Sequence, residues 1–139
     1  MKMVLVIDGQ SGRVGRMLCD AIKKVTDAAE IFAVGVNSLA TAEMLKSGII
    51  HAATGENAAL VCIRKADIIV GPMGIVLADS MLGEITPEIA KAVGQSEAKK
   101  ILIPMSGCRV DVIGGKDLPL SELIKMAANR VQEFCEEKF

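Results

Sequence analysis

A phosphate group needs hydrogen-bond donors, room to approach the main chain and some positive potential. The stretch VIDGQSGRVGRML, residues 6–18, offers all three. Its glycines, Gly9, Gly12 and Gly15, stand three apart directly after an apolar, β-branched run. Gly9 suits a tight turn, Gly12 leaves no Cβ between an anion and the backbone, and Gly15 lets a following helix lie close to a sheet. The start of such a helix presents unpaired N–H groups and a partial positive charge. Gln10, Ser11, Arg13 and Val14 complete the candidate cradle. The spacing G-x-x-G-x-x-G is a variant of the dinucleotide fingerprint and gains weight only between a strand and a helix. A plain glycine-rich turn without a ligand is the competing reading. Arg13 and Arg16 oppose the helix dipole unless an anion sits at the loop, and as solvated surface residues they would carry no such meaning.

Other loops hold matching chemistry. Asn37 and Ser38 follow a second apolar run and could hydrogen-bond a ribose or a 2′-phosphate. The acidic residue that usually holds the ribose there is missing, so NAD, NADP and a mononucleotide all stay open. Gly71, Pro72, Met73 and Gly74 form a second glycine-bearing loop. Thr54-Gly55-Glu56-Asn57 reads as a helix cap or a second anion nest. Asp79 and Glu84, in a segment with Ser80 and Thr86, could pair for acid–base work, against the simpler view of surface or capping carboxylates. Cys108, after Ser106 and Gly107, could be a reactive thiol or a packed, inert one. His51 reads as structural. Its isolation, and the absence of any C-x-x-C pair among four cysteines, argue against a metal site.

These residues must be positioned by elements legible in the apolar pattern. Strands are expected at 3–7, 30–36, 49–53, 67–70 and 100–103, and helices at 12–25, 40–47, 56–65 and 87–93. Thr86 and Pro87 form a helix start and Gly94 a helix stop. RVDVI, 109–113, alternates in period two and predicts a sixth strand, possible as an antiparallel edge. A last helix from near Pro119 carries apolar residues at 120, 123, 124, 127, 131 and 134. This alternation predicts one three-layer α/β domain over 1–139, Rossmann-like, its mostly parallel sheet ordered 3-2-1-4-5 with helices on both faces. The crevice should lie beyond the ends of strands 1 and 4.

Composition narrows the function classes. Sixteen basic against seventeen acidic residues leave a net charge of -1, with no basic stripe for nucleic acid. There is no Trp or Tyr and there are three Phe, so stacking platforms are lacking too. No run is long enough to cross a membrane and the short N-terminal apolar stretch, broken by Asp8, is no signal peptide, so a cytoplasmic protein is expected. An apolar fraction of 51%, with Phe134 and Phe139 near the C-terminus, predicts a homo-oligomer.

The stretches DGQSGRVG, NSLATAEMLKSG, ATGEN, ADIIVGPMGIVLADSMLGEIT and AKKILIP, in that order, resemble a small bacterial Rossmann-like family, domain of unknown function 3842. The resemblance implies a fold and no catalytic activity. From the residues, the leading expectation is a binding protein for a nucleotide, dinucleotide or other small phosphorylated ligand, with the phosphate at residues 9–15. A minimal NAD(P)-dependent oxidoreductase is the second, although 139 residues leave little room for a substrate domain and the lack of tyrosine removes the Tyr–Lys base of short-chain dehydrogenases. A small oligomeric interaction protein with a purely structural glycine loop is the third.

Overall fold

Val4, Leu5, Val6 and Ile7 are all fully buried, because the strand that holds them is covered on both faces. The computed structural model describes residues 1–105, 109–115 and 117–137. Strand β1 (Lys2–Asp8) sits at the centre of a sheet with β2 (Ala29–Gly35), β3 (His51–Thr54), β4 (Ile68–Pro72) and β5 (Lys99–Ile103). All pairings are parallel, in the order β3-β2-β1-β4-β5. Val4 and Val6 point into one core, beneath α1 (Arg13–Val25), α2 (Ser38–Leu45) and α5 (Leu120–Cys135). Leu5 and Ile7 point into the other, beneath α3 (Glu56–Lys65) and α4 (Pro87–Gln95). The period-two side-chain alternation of a strand thus splits β1 between two hydrophobic layers.

Register brings the functional rim together. Asp8 pairs with Gly35, and Gly35 with Thr54, so β1, β2 and β3 end level. On the other side Val6 pairs with Val70, so β4 ends at Pro72 level with the end of β1 and passes into a 3₁₀ turn, Met73–Val76. The chain leaves β1 for β2 in one direction and reaches β4 in the other, which opens a crevice between the ends of β1 and β4.

Several expectations need correction. Residues 109–113 form no strand; they run as irregular chain with Val110, Val112 and Ile113 exposed. Alternation alone does not make a strand, since a strand also needs a partner edge, and β5 takes none beyond β4 among the described residues. Phe134 is not spare apolar surface: it packs on the core, with the Lys2 Nζ 5.0 Å from its ring centroid. Phe139 lies outside the described residues. Thr54 does not cap α3, whose N-cap is Gly55; the Thr54 hydroxyl instead meets that of Thr41 at 2.7 Å.

Thr86 does cap α4, accepting the Ile89 N–H at 3.2 Å, with Pro87 at the first helical position. Gly94, however, does not end that helix. It lies inside α4, at negative φ, and a Cβ there would meet nothing within 4 Å. Gly94→Ala should therefore stabilise the protein by about 0.5–1 kcal/mol, through reduced freedom of the unfolded chain. A denaturant midpoint unchanged or lowered by this substitution would contradict the placement.

Among the described residues no helix is long and apolar enough to cross a membrane.

Candidate functional site

The glycine loop turns on Asp8, the last residue of β1. Its side chain is only 4% exposed, and its carboxylate accepts the N–H of Gly9 at 2.8 Å and of Gly15 at 2.6 Å. The protein thus places an anion of its own at the N-terminus of α1, where the helix dipole and free N–H groups favour one. Burial raises the Asp8 pKa above the usual carboxylate value; the two N–H bonds oppose that rise, and the nearby Glu84 charge adds to it. Sequence reasoning gave Asp8 no role at the site. Its signal was present, a carboxylate closing a buried apolar strand immediately before the first glycine.

Gly12 is needed for a different reason from the one its spacing suggests. It holds φ +75, and a Cβ on it would stand 2.7 Å from both the Cα and the carbonyl oxygen of Ala40 in α2. The missing side chain makes way for a helix of the protein, not for a ligand. Gly15 behaves as expected, leaving space for Met44 and for the Cβ of Asp8, 2.8 Å from where its own would be. At Gly9 the space is taken by Val36, Met81 and Glu84.

Glu84 comes from a loop far along the chain and closes over the cradle. One carboxylate oxygen accepts the Gln10 N–H at 2.7 Å, the other the Asn37 side-chain amide at 2.6 Å. Asn37 is fully occupied: its amide also donates to the Gln10 carbonyl at 3.1 Å, and its oxygen caps α2 by accepting the Ala40 N–H at 2.8 Å. The Asn37–Glu84–Gln10 bridge joins three loops across the end of β2, where a dinucleotide would lay its adenosine. Asn37 and Ser38 do not line the crevice. The residues present do not fit the adenosine half of NAD or NADP, which needs a free ribose acceptor there.

The crevice lies on the other side, between β1 and β4. It has a volume of about 670 Å³, within the usual range for a small-molecule site. Gly9, Gln10, Ser11, Arg13 and Val14 form one wall, and Pro72 and Gly74 another. Residues 79–82 form the roof, and Met105, Arg109 and Leu120 close the far side. The N–H groups of Gly9, Gln10, Gly12 and Gly15 already have protein acceptors. Among the described residues those of Ser11, Arg13 and Val14 have none, and they belong to the crevice wall. With the Arg13 guanidinium beside them they can hold one anionic group.

Arg16 is turned away, pairing with Glu43 at 3.0 Å. Gly71 does not reach the crevice; its missing Cβ makes room for the Ile7 carbonyl of the neighbouring strand. Met73 points into an adjoining cleft with Val110 and Leu118. Asp79 lines the roof while Glu84 is spent on the bridge, so the two carboxylates have separate tasks. The roof is unusual backbone: Asp79, Met81 and Leu82 all take positive φ, and Leu82 is 99% exposed. His51 stacks on Phe32 with ring centroids 4.4 Å apart, away from the site. Buried Cys19 has its thiol pushed up to about 12 by burial, which makes it inert, and Cys108 lies outside the described residues. No group of three or more potential metal ligands occurs among the described residues.

A model of the family "Domain of unknown function (DUF3842)" matches residues 3–136. The chain belongs to this family. No curated protein matches it. Among solved structures it is similar to a dodecameric FMN-dependent UbiX-like decarboxylase from Escherichia coli O157:H7, at 16% identity and a TM-score of 0.43. The match covers 94% of this chain and 75% of that one. Family membership fixes no activity, and so distant a structural likeness transfers no residue roles.

Proposed function

We propose that this member of the family binds a small phosphorylated ligand of mononucleotide size, with its phosphate on the N–H groups of Ser11, Arg13 and Val14. The observation that carries the reading is that these three donors, alone in the glycine loop, are left without protein acceptors and open into a crevice beside Arg13. Met81, Leu82, Met105 and Leu120 supply an apolar wall for the rest of the ligand. A pocket with one polar end and an apolar body suits a phosphate joined to a ring. The bridge through Glu84 favours one phosphorylated end over a dinucleotide.

A thermal-shift panel of FMN, ATP, GTP, NAD(H) and NADP(H) at millimolar concentration tests this. A ligand bound only to the folded protein at a hundred times its dissociation constant adds about 2.7 kcal/mol, enough to raise Tm by several degrees. Mononucleotides should give the larger shifts, and Arg13→Ala should reduce them, more so at low salt. No shift with any compound would leave the loop as a structural turn.

A further inference from the structure

The main-chain N–H groups from Gly9 to Gly15 divide by where their acceptors come from. Gly9 and Gly15 donate to Asp8, and Gly12 donates to the Gly9 carbonyl, all within the same strand, loop and helix. Gln10 alone donates to a side chain from a distant loop, the Glu84 carboxylate. The contact is built from both sides. Gln10 holds φ +50, which is uncommon for a residue with a side chain. Both of its main-chain polar groups are gripped, the N–H by Glu84 and the carbonyl by Asn37. Gly9 admits the carboxylate, since a Cβ there would stand 2.9 Å from the Glu84 Oε1.

A ligand with its phosphate on Ser11, Arg13 and Val14 has used every free main-chain donor of the loop. A second phosphate joined to the first needs a further donor, and the neighbour of Ser11 is Gln10. There it meets an oxygen acceptor already in place, with a charge of its own sign. Among the described residues no Lys or Arg pairs with Glu84, so only the Gln10 N–H and the Asn37 amide face that charge. Burial is the main cause of the raised Asp8 pKa and the Glu84 charge adds to it, so its field reaches the end of β1. A site discriminates by setting repulsive groups against a competitor as well as attractive ones for its own ligand.

We propose that Glu84 sets the ligand class of the crevice: its carboxylate holds the place of a second phosphate, so the site admits phosphate monoesters and turns away diphosphates and triphosphates. The inference rests on the phosphate reading of the loop and narrows it. Among mononucleotides it selects those with one phosphate, such as FMN or AMP, over ATP and GTP. Arg13 alone would favour the more highly charged ligand, so the carboxylate must overcome that preference.

Calorimetric titration with three matched pairs tests this: inorganic phosphate and pyrophosphate, AMP and ADP, FMN and FAD. In any pair that binds, the parent should prefer the single-phosphate member by at least about tenfold. Glu84→Gln keeps the size of the side chain and an acceptor oxygen for the Gln10 N–H while removing the charge. It should shift the preference toward the diphosphate by at least about tenfold. Glu84→Ala also frees the Gln10 N–H and the Asn37 amide, and should shift it in the same direction. A parent that binds a diphosphate as tightly as its monophosphate partner overturns the proposal and leaves the phosphate cradle standing. So does a preference unchanged in Glu84→Gln, or a loss of monophosphate binding there, which would make Glu84 a support of the loop. If no member of any pair binds the parent, the cradle itself fails and the proposal falls with it.

Discussion

Gly12→Val should destabilise the fold by about 2–5 kcal/mol, whether or not a ligand is present. Two costs add. A β-branched residue in the left-handed region at φ +75 loses about 1–2 kcal/mol against glycine. Its Cβ would also stand 2.7 Å from backbone atoms of Ala40, which cannot swing aside as a side-chain tip can. Overpacking of that kind costs about 1–3 kcal/mol. Against a typical stability of about 5–15 kcal/mol, the sum is large. Gly83→Ala separates the two contributions, since Gly83 lies in a turn at φ +92 with nothing within 4 Å of its added Cβ. It should show the conformational cost alone. Chemical denaturation of both variants provides the comparison. Should Gly12→Val unfold at the parent's midpoint while losing ligand, the glycine would be serving the ligand and not α2.

That outcome would reverse the lesson drawn from the spacing of the glycines. The pattern correctly placed a strand, a tight loop and a helix, because G-x-x-G-x-x-G after a buried apolar run has few other uses. It could not say what each glycine makes room for. Gly12 faces Ala40, twenty-eight residues away, and Gly71 faces the backbone of Ile7; both neighbours are set by tertiary packing. Element order and strand order were legible because they follow from local periodicity and the alternation of strand with helix. Two of the three failures share a cause. RVDVI lacks a partner edge within the chain, Gly94 reads as a helix stop only if nothing beyond it continues the helix, and Thr54 is claimed by Thr41. For RVDVI and Thr54 a non-local contact, or the lack of one, overrode a local signal; at Gly94 the helix runs one residue further, to Gln95.

The candidate site was legible to a similar depth. Ser11, Arg13 and Val14 were placed correctly on the crevice wall by the loop pattern. Glu84 was noticed as a carboxylate but not as the residue that spans Gln10 and Asn37, because seventy-four positions separate it from Gln10 in the chain. Asn37 was credited with a free side chain that the folded protein fully uses. Met105, Arg109 and Leu120 reach the crevice only because the chain returns past the end of β5, and no short motif marks them.

Asp8 is where the loop's stability and its electrostatics meet, and its removal should have the second large effect. Asp8→Ala leaves the N–H groups of Gly9 and Gly15 buried without an acceptor. Each orphaned donor costs about 1–3 kcal/mol, so a loss of about 2–6 kcal/mol is expected. Asp8→Asn keeps the shape but offers one acceptor oxygen in place of two, and should lose less. The pair also isolates the charge. Burial raises the Asp8 pKa in the folded state above its ordinary value of 3.8, so the folded protein holds that proton more tightly than the unfolded chain. Linkage then gives the direction: the contribution of this group to stability is fully present below pH 3.8 and is lost as pH rises through the folded value. The stability of the parent relative to Asp8→Asn should therefore fall with rising pH across that window. Glu84→Gln removes the neighbouring negative charge that adds to the rise, so the window should narrow in that background. Urea melts of the four proteins from pH 3 to 7 supply the test. If the difference between parent and Asp8→Asn stays flat or grows with pH, the carboxylate is held by its two N–H bonds more strongly than burial opposes it.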